Sequence, residues 1–155
     1  MRLVEDHPDL FTCGAYALVN PVNTEGVSGK GLALEFKRRF PRSQRIYERW
    51  CRSGALTVGR VLYTFDDEEG SIGGLGHRMV IHFPTKSRWR DPSRISFVRL
   101  GMHSLAGVIE NVDSVAIPAL GCGLGGLRWE DVRPVIVEGL RGYTGTVFLF
   151  PPREG

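Results

Sequence analysis

Two glycine-rich runs hold the residues best suited to chemistry in this chain. The first spans Asn20 to Gly31 (N-P-V-N-T-E-G-V-S-G-K-G) and follows the strand-like Tyr16-Ala17-Leu18-Val19. The second spans Gly121 to Gly126 (G-C-G-L-G-G) and follows Ser114-Val115-Ala116-Ile117-Pro118. Glycines at strand–helix junctions let backbone N–H groups turn toward a ligand and approach it closely, which makes a cradle for phosphate. Either loop alone reads as well as a tight turn. Together they predict a ligand with two ends, a dinucleotide-like diphosphate held by backbone amides.

Other motifs fit less well. The second run formally matches G-x-G-x-x-G, but it starts too near the C-terminus for the second half of a Rossmann domain. The acidic ribose ligand is also missing, because the next strand runs into Phe150-Pro151-Pro152. Gly29-Lys30-Gly31 is not a P-loop, since neither Ser nor Thr follows the lysine. Both observations count against redox and nucleotide-triphosphatase chemistry. The histidines His7, His77, His82 and His103 lack metal-ligand spacing, and no metal is expected. His82 reads as a core or edge histidine, with a supporting role near Lys86 left open. Three cysteines, Cys13, Cys51 and Cys122, form no C-x-x-C pair and argue against disulfides and zinc. Cys122 reads as a small residue that fits its loop.

Two basic stretches frame these loops. Lys37-Arg38-Arg39, with Arg42 and Arg45, reads as a solvated helix face. Lys86-Ser87-Arg88-Trp89-Arg90, with Arg94, combines arginines with an indole after a strand end. Stacking on Trp89 and phosphate contacts from Arg88 or Arg90 would suit a nucleic-acid strand; the alternative is that Trp89 anchors its own loop.

The elements that must position these residues follow from hydrophobic spacing. Leu32–Phe40 reads as a helix stopped at Pro41, and Ser43 as the cap of a second helix through Arg52, ended by Gly54. Arg60–Phe65 is strand-like and leads into an acidic turn, Asp66–Gly70; His77–Phe83 is a strand closed by Pro84. Ser93–Asn111 reads as a long helix, Ser114–Pro118 as a buried strand, Trp129–Leu140 as a helix and Thr146–Phe150 as a last strand. Alternating strands and helices predict an α/β fold with a mixed, largely parallel sheet covered on both faces, whose ligand lies beyond the strand carboxyl ends.

Bulk properties agree with one domain spanning residues 1–155. The chain is 42% hydrophobic and 24% charged, with net charge +3 and 20 glycines, well above the usual glycine share of roughly 7%. A mildly basic balance admits an anionic ligand or nucleic acid. The N-terminal Met1-Arg2-Leu3-Val4-Glu5-Asp6 lacks a signal-like apolar run, and no segment approaches membrane-spanning length. A cytoplasmic monomer without membrane contact is the expectation.

The ordered segments Ala17–Asn23, Gly26–Ala33, Phe83–Trp89 and Pro118–Leu127 together resemble the macrodomains, which bind ADP-ribose. More narrowly, they resemble the DarG-type branch, antitoxin enzymes that remove ADP-ribose from thymidine in DNA. The resemblance implies a three-layer α/β/α sandwich that needs no cofactor. It implies catalytic roles for Lys86 and Asn23, with Asn23 at the distal ribose. ADP-ribose contacts are implied for Asn20, Gly29, Lys30, Gly31 and Thr85. The diphosphate falls to Leu120, Gly121, Cys122, Gly123, Leu124, Gly125 and Gly126, and adenine to Asp9 and Phe150. Two departures stand out: the family's Gly-Asp pair is Pro8-Asp9 here, and Gly125 stands where the related animal glycohydrolase has an aspartate paired with its lysine. The antitoxins also carry a further C-terminal domain, which leaves open a free-standing repair enzyme or a piece of a longer chain.

The activity so implied is hydrolysis at C1″ of the distal ribose. Its substrate would be thymidine-linked ADP-ribose on single-stranded DNA, with glutamate or aspartate esters on protein as a second class. Arg88, Trp89 and Arg90 would meet the DNA. The alternatives are a reader that binds ADP-ribose without cleaving it, or an O-acetyl-ADP-ribose deacetylase. Lys86 would act as a charged group or as a nucleophile on C1″; the animal enzyme's use of its lysine favours the second.

Overall fold

The computed structural model describes residues 1–153, so the last two residues of the expected 1–155 domain lie outside it. In chain order the elements are β1 (Arg2–Val4), β2 (Ala17–Asn23), α1 (Gly31–Arg39), α2 (Pro41–Ser53), β3 (Leu62–Asp67) and β4 (His77–Lys86). They continue with α3 (Ile95–Val108), β5 (Ser114–Ile117), α4 (Trp129–Gly139) and β6 (Thr146–Leu149). The six strands form one sheet in the order β1-β6-β5-β2-β4-β3. All neighbours run parallel except β3, which lies antiparallel on β4 at the edge.

Alternation along the central strands sends side chains to two cores. Val19, Ile81, Val115 and Ile117 face one side, under Val98, Met102 and Leu105 of α3 and Val132 and Ile136 of α4. Leu18, Val80 and Ala116 face the other, under Phe36 of α1 and neighbouring Phe40. Helices on both faces make a three-layer α/β/α sandwich. This arrangement leaves the carboxyl ends of β2, β4, β5 and β6 to carry the loops.

Several boundaries differ from the sequence expectation, each for a physical reason. Strand β2 continues through Pro21 to Asn23, so the first glycine loop starts at Thr24 and Asn20 is a strand residue. Strand β4 continues through Pro84 to Lys86, because β3 pairs with it only as far as His82 and proline's missing N–H costs no ladder bond beyond that point. Asp66 and Asp67, expected in a turn, extend β3. Ser43 does not cap α2: it lies inside the helix, and its N–H donates to Asp66 Oδ2 at 2.8 Å. A carboxylate from β3 thus serves the positive end of α2. Proline 41 starts α2 and also ends α1, its fixed φ suiting a first helical position. Arg39, assigned to a solvated face, instead bonds Glu68 at 2.7 Å and lies 4.2 Å from the Phe11 ring centroid. Short β1 pairs with Thr146–Phe148 of β6 and had no local signal of its own. No helix among the described residues is long and apolar enough to cross a membrane.

Candidate active site

A cleft of about 780 Å³ opens at the carboxyl ends of the parallel strands. The β2–β4 register sets Asn23 opposite Lys86, after an irregularity between Val22 and Asn23. Two strand ends from distant parts of the chain therefore deliver both residues to one point on the cleft wall.

Asn23 is buried, and most of its amide is already engaged. Its Oδ1 accepts the backbone N–H groups of Glu25, Gly26 and Val27 at 3.0–3.2 Å, and Nδ2 donates to the Val27 carbonyl at 2.9 Å. From below, the Tyr47 hydroxyl donates toward the Asn23 carbonyl (2.7 Å) and Oδ1 (3.1 Å). Burial pushes the Tyr47 phenol well above its ordinary pKa, so it remains a neutral donor. Asn23 thus shapes the turn that opens the first glycine loop and keeps only one N–H for a ligand.

The loop after β4 is stitched to this turn. Thr24 N and Oγ1 both donate to the Ser87 carbonyl at 3.0 Å, and Trp89 N donates to Glu25 Oε2 at 3.2 Å. The Trp89 carbonyl in turn accepts from Lys86 Nζ at 2.8 Å. Trp89 lines the cleft, whereas Arg88 and Arg90 lie outside its wall, and the Arg90 guanidinium sits 5.4 Å from the indole centroid.

Opposite, the second glycine loop is fixed by a few internal bonds: Cys122 N to the Ala119 carbonyl, Gly126 N to Gly123, Leu127 N to Gly121 and Ser93 N to Gly125. Among the described residues, the amides of Gly123, Leu124 and Gly125 have no protein acceptor, and all three residues line the cleft. The same holds for the first turn of α1, where Lys30 is the N-cap without a side-chain cap bond and Gly31, Leu32 and Ala33 face the cleft. Unpartnered amides at a helix start and on a glycine loop make an anion site.

Gly125 leaves no room for a side chain, an aspartate included. A Cβ there would lie 2.6 Å from the Gly121 carbonyl oxygen and 2.7 Å from Ser93 Cβ. Gly123 is the reverse case, since a Cβ there meets nothing within 4 Å. Burial pushes the Cys122 thiol up to about 11, and those of Cys13 and Cys51 also rise; none is a ready thiolate.

Of the remaining expected contacts, Gly29, Lys30, Gly31, Thr85, Gly121 and Phe150 line the cleft. Asn20, Leu120 and Gly126 do not: Asn20 and Leu120 are buried behind the wall, and Gly126 is exposed with its N–H already given to the Gly123 carbonyl. Asp9 is also off the wall, because its Oδ1 faces the Phe11 amide at 3.4 Å. Asp6 and His7 line the cleft instead, with His7 6.5 Å from Phe150 between centroids. Sequence reasoning missed Glu25, Tyr47 and Ser93. Glu25 touches Trp89 across 64 positions and Tyr47 touches Asn23 across 24, so no local pattern exposes them. Ser93 Oγ is buried without a partner beneath the second glycine loop. No cluster of three His, Cys, Asp or Glu among the described residues could hold a metal ion.

Residues 19–136 match the family model described as Macro domain. A DNA ADP-ribosyl glycohydrolase of Mycobacterium tuberculosis is 41% identical over 150 residues, covering 95% of this chain and 41% of that protein. The macrodomain of Mycobacterium tuberculosis DarG superposes with a TM-score of 0.88 at 39% identity, covering 97% of this chain and 98% of that one. Thermosipho africanus DarTG, solved in complex with ADP-ribose, gives a TM-score of 0.88 at 31% identity over 99% of this chain and 42% of that one. The chain spans about two fifths of the length of the curated relatives it matches first. It belongs to the Macro domain family.

Proposed function

We propose that this chain binds ADP-ribose in the cleft and hydrolyses the bond between C1″ of the distal ribose and its acceptor. The acceptor we assign is a thymine base in single-stranded DNA, as the glycohydrolase names of the relatives support. One observation carries the reading: Asn23 and Lys86 meet at one end of a cleft whose other walls are unpartnered backbone amides.

The diphosphate bridges the amides of Gly123–Gly125 and the start of α1, where neutral dipoles stabilise its charge. Adenine lies toward Phe150 and His7. The remaining Asn23 N–H holds the distal ribose and leaves C1″ facing Lys86. Bond breaking sends the electron pair to the thymine; water supplies hydroxyl to C1″ and a proton to the base. Lys86 acts here as a charged group that stabilises the departing base. Its Nζ is held as a donor by the Trp89 carbonyl, and Gly125 leaves no carboxylate in the second loop to accept its proton. Binding the diphosphate at a distance from the reacting bond also orients that bond.

The test is incubation with thymidine-linked ADP-ribosylated DNA and, separately, with glutamate-linked ADP-ribosylated protein, measuring free ADP-ribose. Release from DNA supports the proposal, and release from protein alone moves the acceptor. Binding without release from either makes the chain a reader.

A further inference from the structure

An aromatic and cationic track leaves the cleft at Trp89 and runs down the free edge of the sheet. It begins with the Arg90–Trp89 pair and continues with Arg94, whose guanidinium lies 5.7 Å from the Phe97 ring on the first turn of α3. Phe97, Leu100 and Ser104 share one face of α3. That face abuts the start of β3: the Val61 N–H donates to Ser104 Oγ at 3.1 Å, and a Cβ on Gly59 would touch Leu100.

Beyond this junction the outer face of β3 is uncovered. Tyr63 and Phe65 are 45% and 44% exposed, with ring centroids 5.8 Å apart, and Phe65 lies parallel to His77 at 6.2 Å. Two arginines border these rings, Arg60 just before β3 and Arg42, which donates to the Phe65 carbonyl, while Arg78 leaves β4 on the opposite face beside Asp66. None of the three has a carboxylate partner among the described residues. Of the acids that follow Phe65, Asp67 and Glu68 are each held by a base, His77 and Arg39, and Asp66 accepts the Ser43 N–H on the opposite face.

We propose that this track binds the single-stranded DNA flanking the modified nucleotide. Rings without hydrogen-bond demands accept any base face, and guanidinium groups spaced between them meet successive phosphates. Tyr63 pairs with Ile81, five residues before Lys86 on β4, a reach of about 17 Å that spans a few nucleotides. The inference rests on the proposed DNA acceptor and adds a binding surface outside the cleft.

The experiment measures binding of unmodified single-stranded DNA by anisotropy, comparing oligonucleotides of about 16 and about 4 nucleotides. The variant Tyr63→Thr/Phe65→Thr removes both rings and keeps residues that suit a strand. The wild type is expected to favour the longer DNA, and the variant to lose about tenfold on it while binding free ADP-ribose normally. Arg60→Ala should reduce the salt slope of long-DNA binding by about 0.7. Equal binding of long DNA by wild type and variant overturns the track, as does a wild type without length preference. A variant whose exposed rings mattered for self-association would instead change sedimentation and leave DNA binding intact, which also overturns it. Cleavage of the modified short oligonucleotide is scored separately: its failure removes the DNA acceptor, whatever the track binds.

Discussion

At the Gly121–Gly125 end of the cleft the walls offer backbone amides, whereas at the Asn23–Lys86 end they offer side chains held in place by other side chains. The first end needs only a backbone path, and each amide is fixed by the turn that contains it. The second needs Tyr47 beneath Asn23, Glu25 beneath Trp89 and the Trp89 carbonyl beneath Lys86. A binding function tolerates change at the second end, and a chemical function does not. The contrast says where affinity and rate should separate.

Lys86→Ala gives the largest separation. Loss of one group positioned to stabilise developing charge typically costs about 10²–10³ in rate, while ADP-ribose affinity should move less than about twofold because the amides remain. Single-turnover kinetics beside calorimetry checks this. Lys86→Arg sharpens it: a charged role retains measurable turnover, and a lysine–ribose adduct allows none. Wild-type cleavage by the alanine variant would remove Lys86 from the chemistry.

Gly123→Val tests the other end. A Cβ there meets no protein atom within 4 Å, so the variant should fold with an unchanged melting temperature. The valine fills the approach to two open amides, and affinity for ADP-ribose should fall about thirtyfold, near 2 kcal/mol for lost charge-assisted bonds. Unchanged affinity by calorimetry would place the diphosphate elsewhere.

These two ends were not equally legible in the sequence. The glycine density at 121–126 pointed to open backbone amides because the signal and those amides lie in the same few residues. The layers and the largely parallel sheet were legible too, since strands and helices alternate along the chain, whereas the strand order and β1 were not. At the side-chain end only the motif residues could be named. Glu25 and Tyr47 act across long sequence separations, and Pro21 and Pro84 masked the strand ends that bring Asn23 and Lys86 together. Those prolines read as breakers in isolation; only the one-sided pairing of β4 beyond His82 makes Pro84 harmless.

Tyr47→Phe probes the support of Asn23 with a smaller effect. The ring stays stacked on His82, at 5.5 Å and 10° between planes, while the hydroxyl's bond to Asn23 disappears. A net hydrogen bond is worth about 1 kcal/mol, so kcat should fall about fivefold with KM unchanged. A rise in KM at constant kcat would make Tyr47 a support of the binding surface and not of the reacting ribose.

The smallest effect at neutral pH, and a clear one in acid, belongs to His82. Its ring is fully buried between Tyr47 and Trp50; Nε2 meets Thr64 Oγ1 at 3.2 Å, and Nδ1 has no partner. Burial alone pulls its pKa down from 6.5 to about 3, so the folded protein keeps the imidazole neutral. Between those values the unfolded chain binds a proton that the folded chain refuses. Stability is therefore intact above pH 6.5 and declines as pH falls toward 3. At about 1.36 kcal/mol per pH unit, this one group removes about 2 kcal/mol between pH 8 and pH 5. Urea unfolding of the wild type and His82→Gln at both pH values measures it. Gln stays neutral throughout and should flatten the slope, whatever it does to stability at pH 8. An identical pH slope in the two proteins would mean that other groups govern acid sensitivity and that the stack under Asn23 does not open in acid.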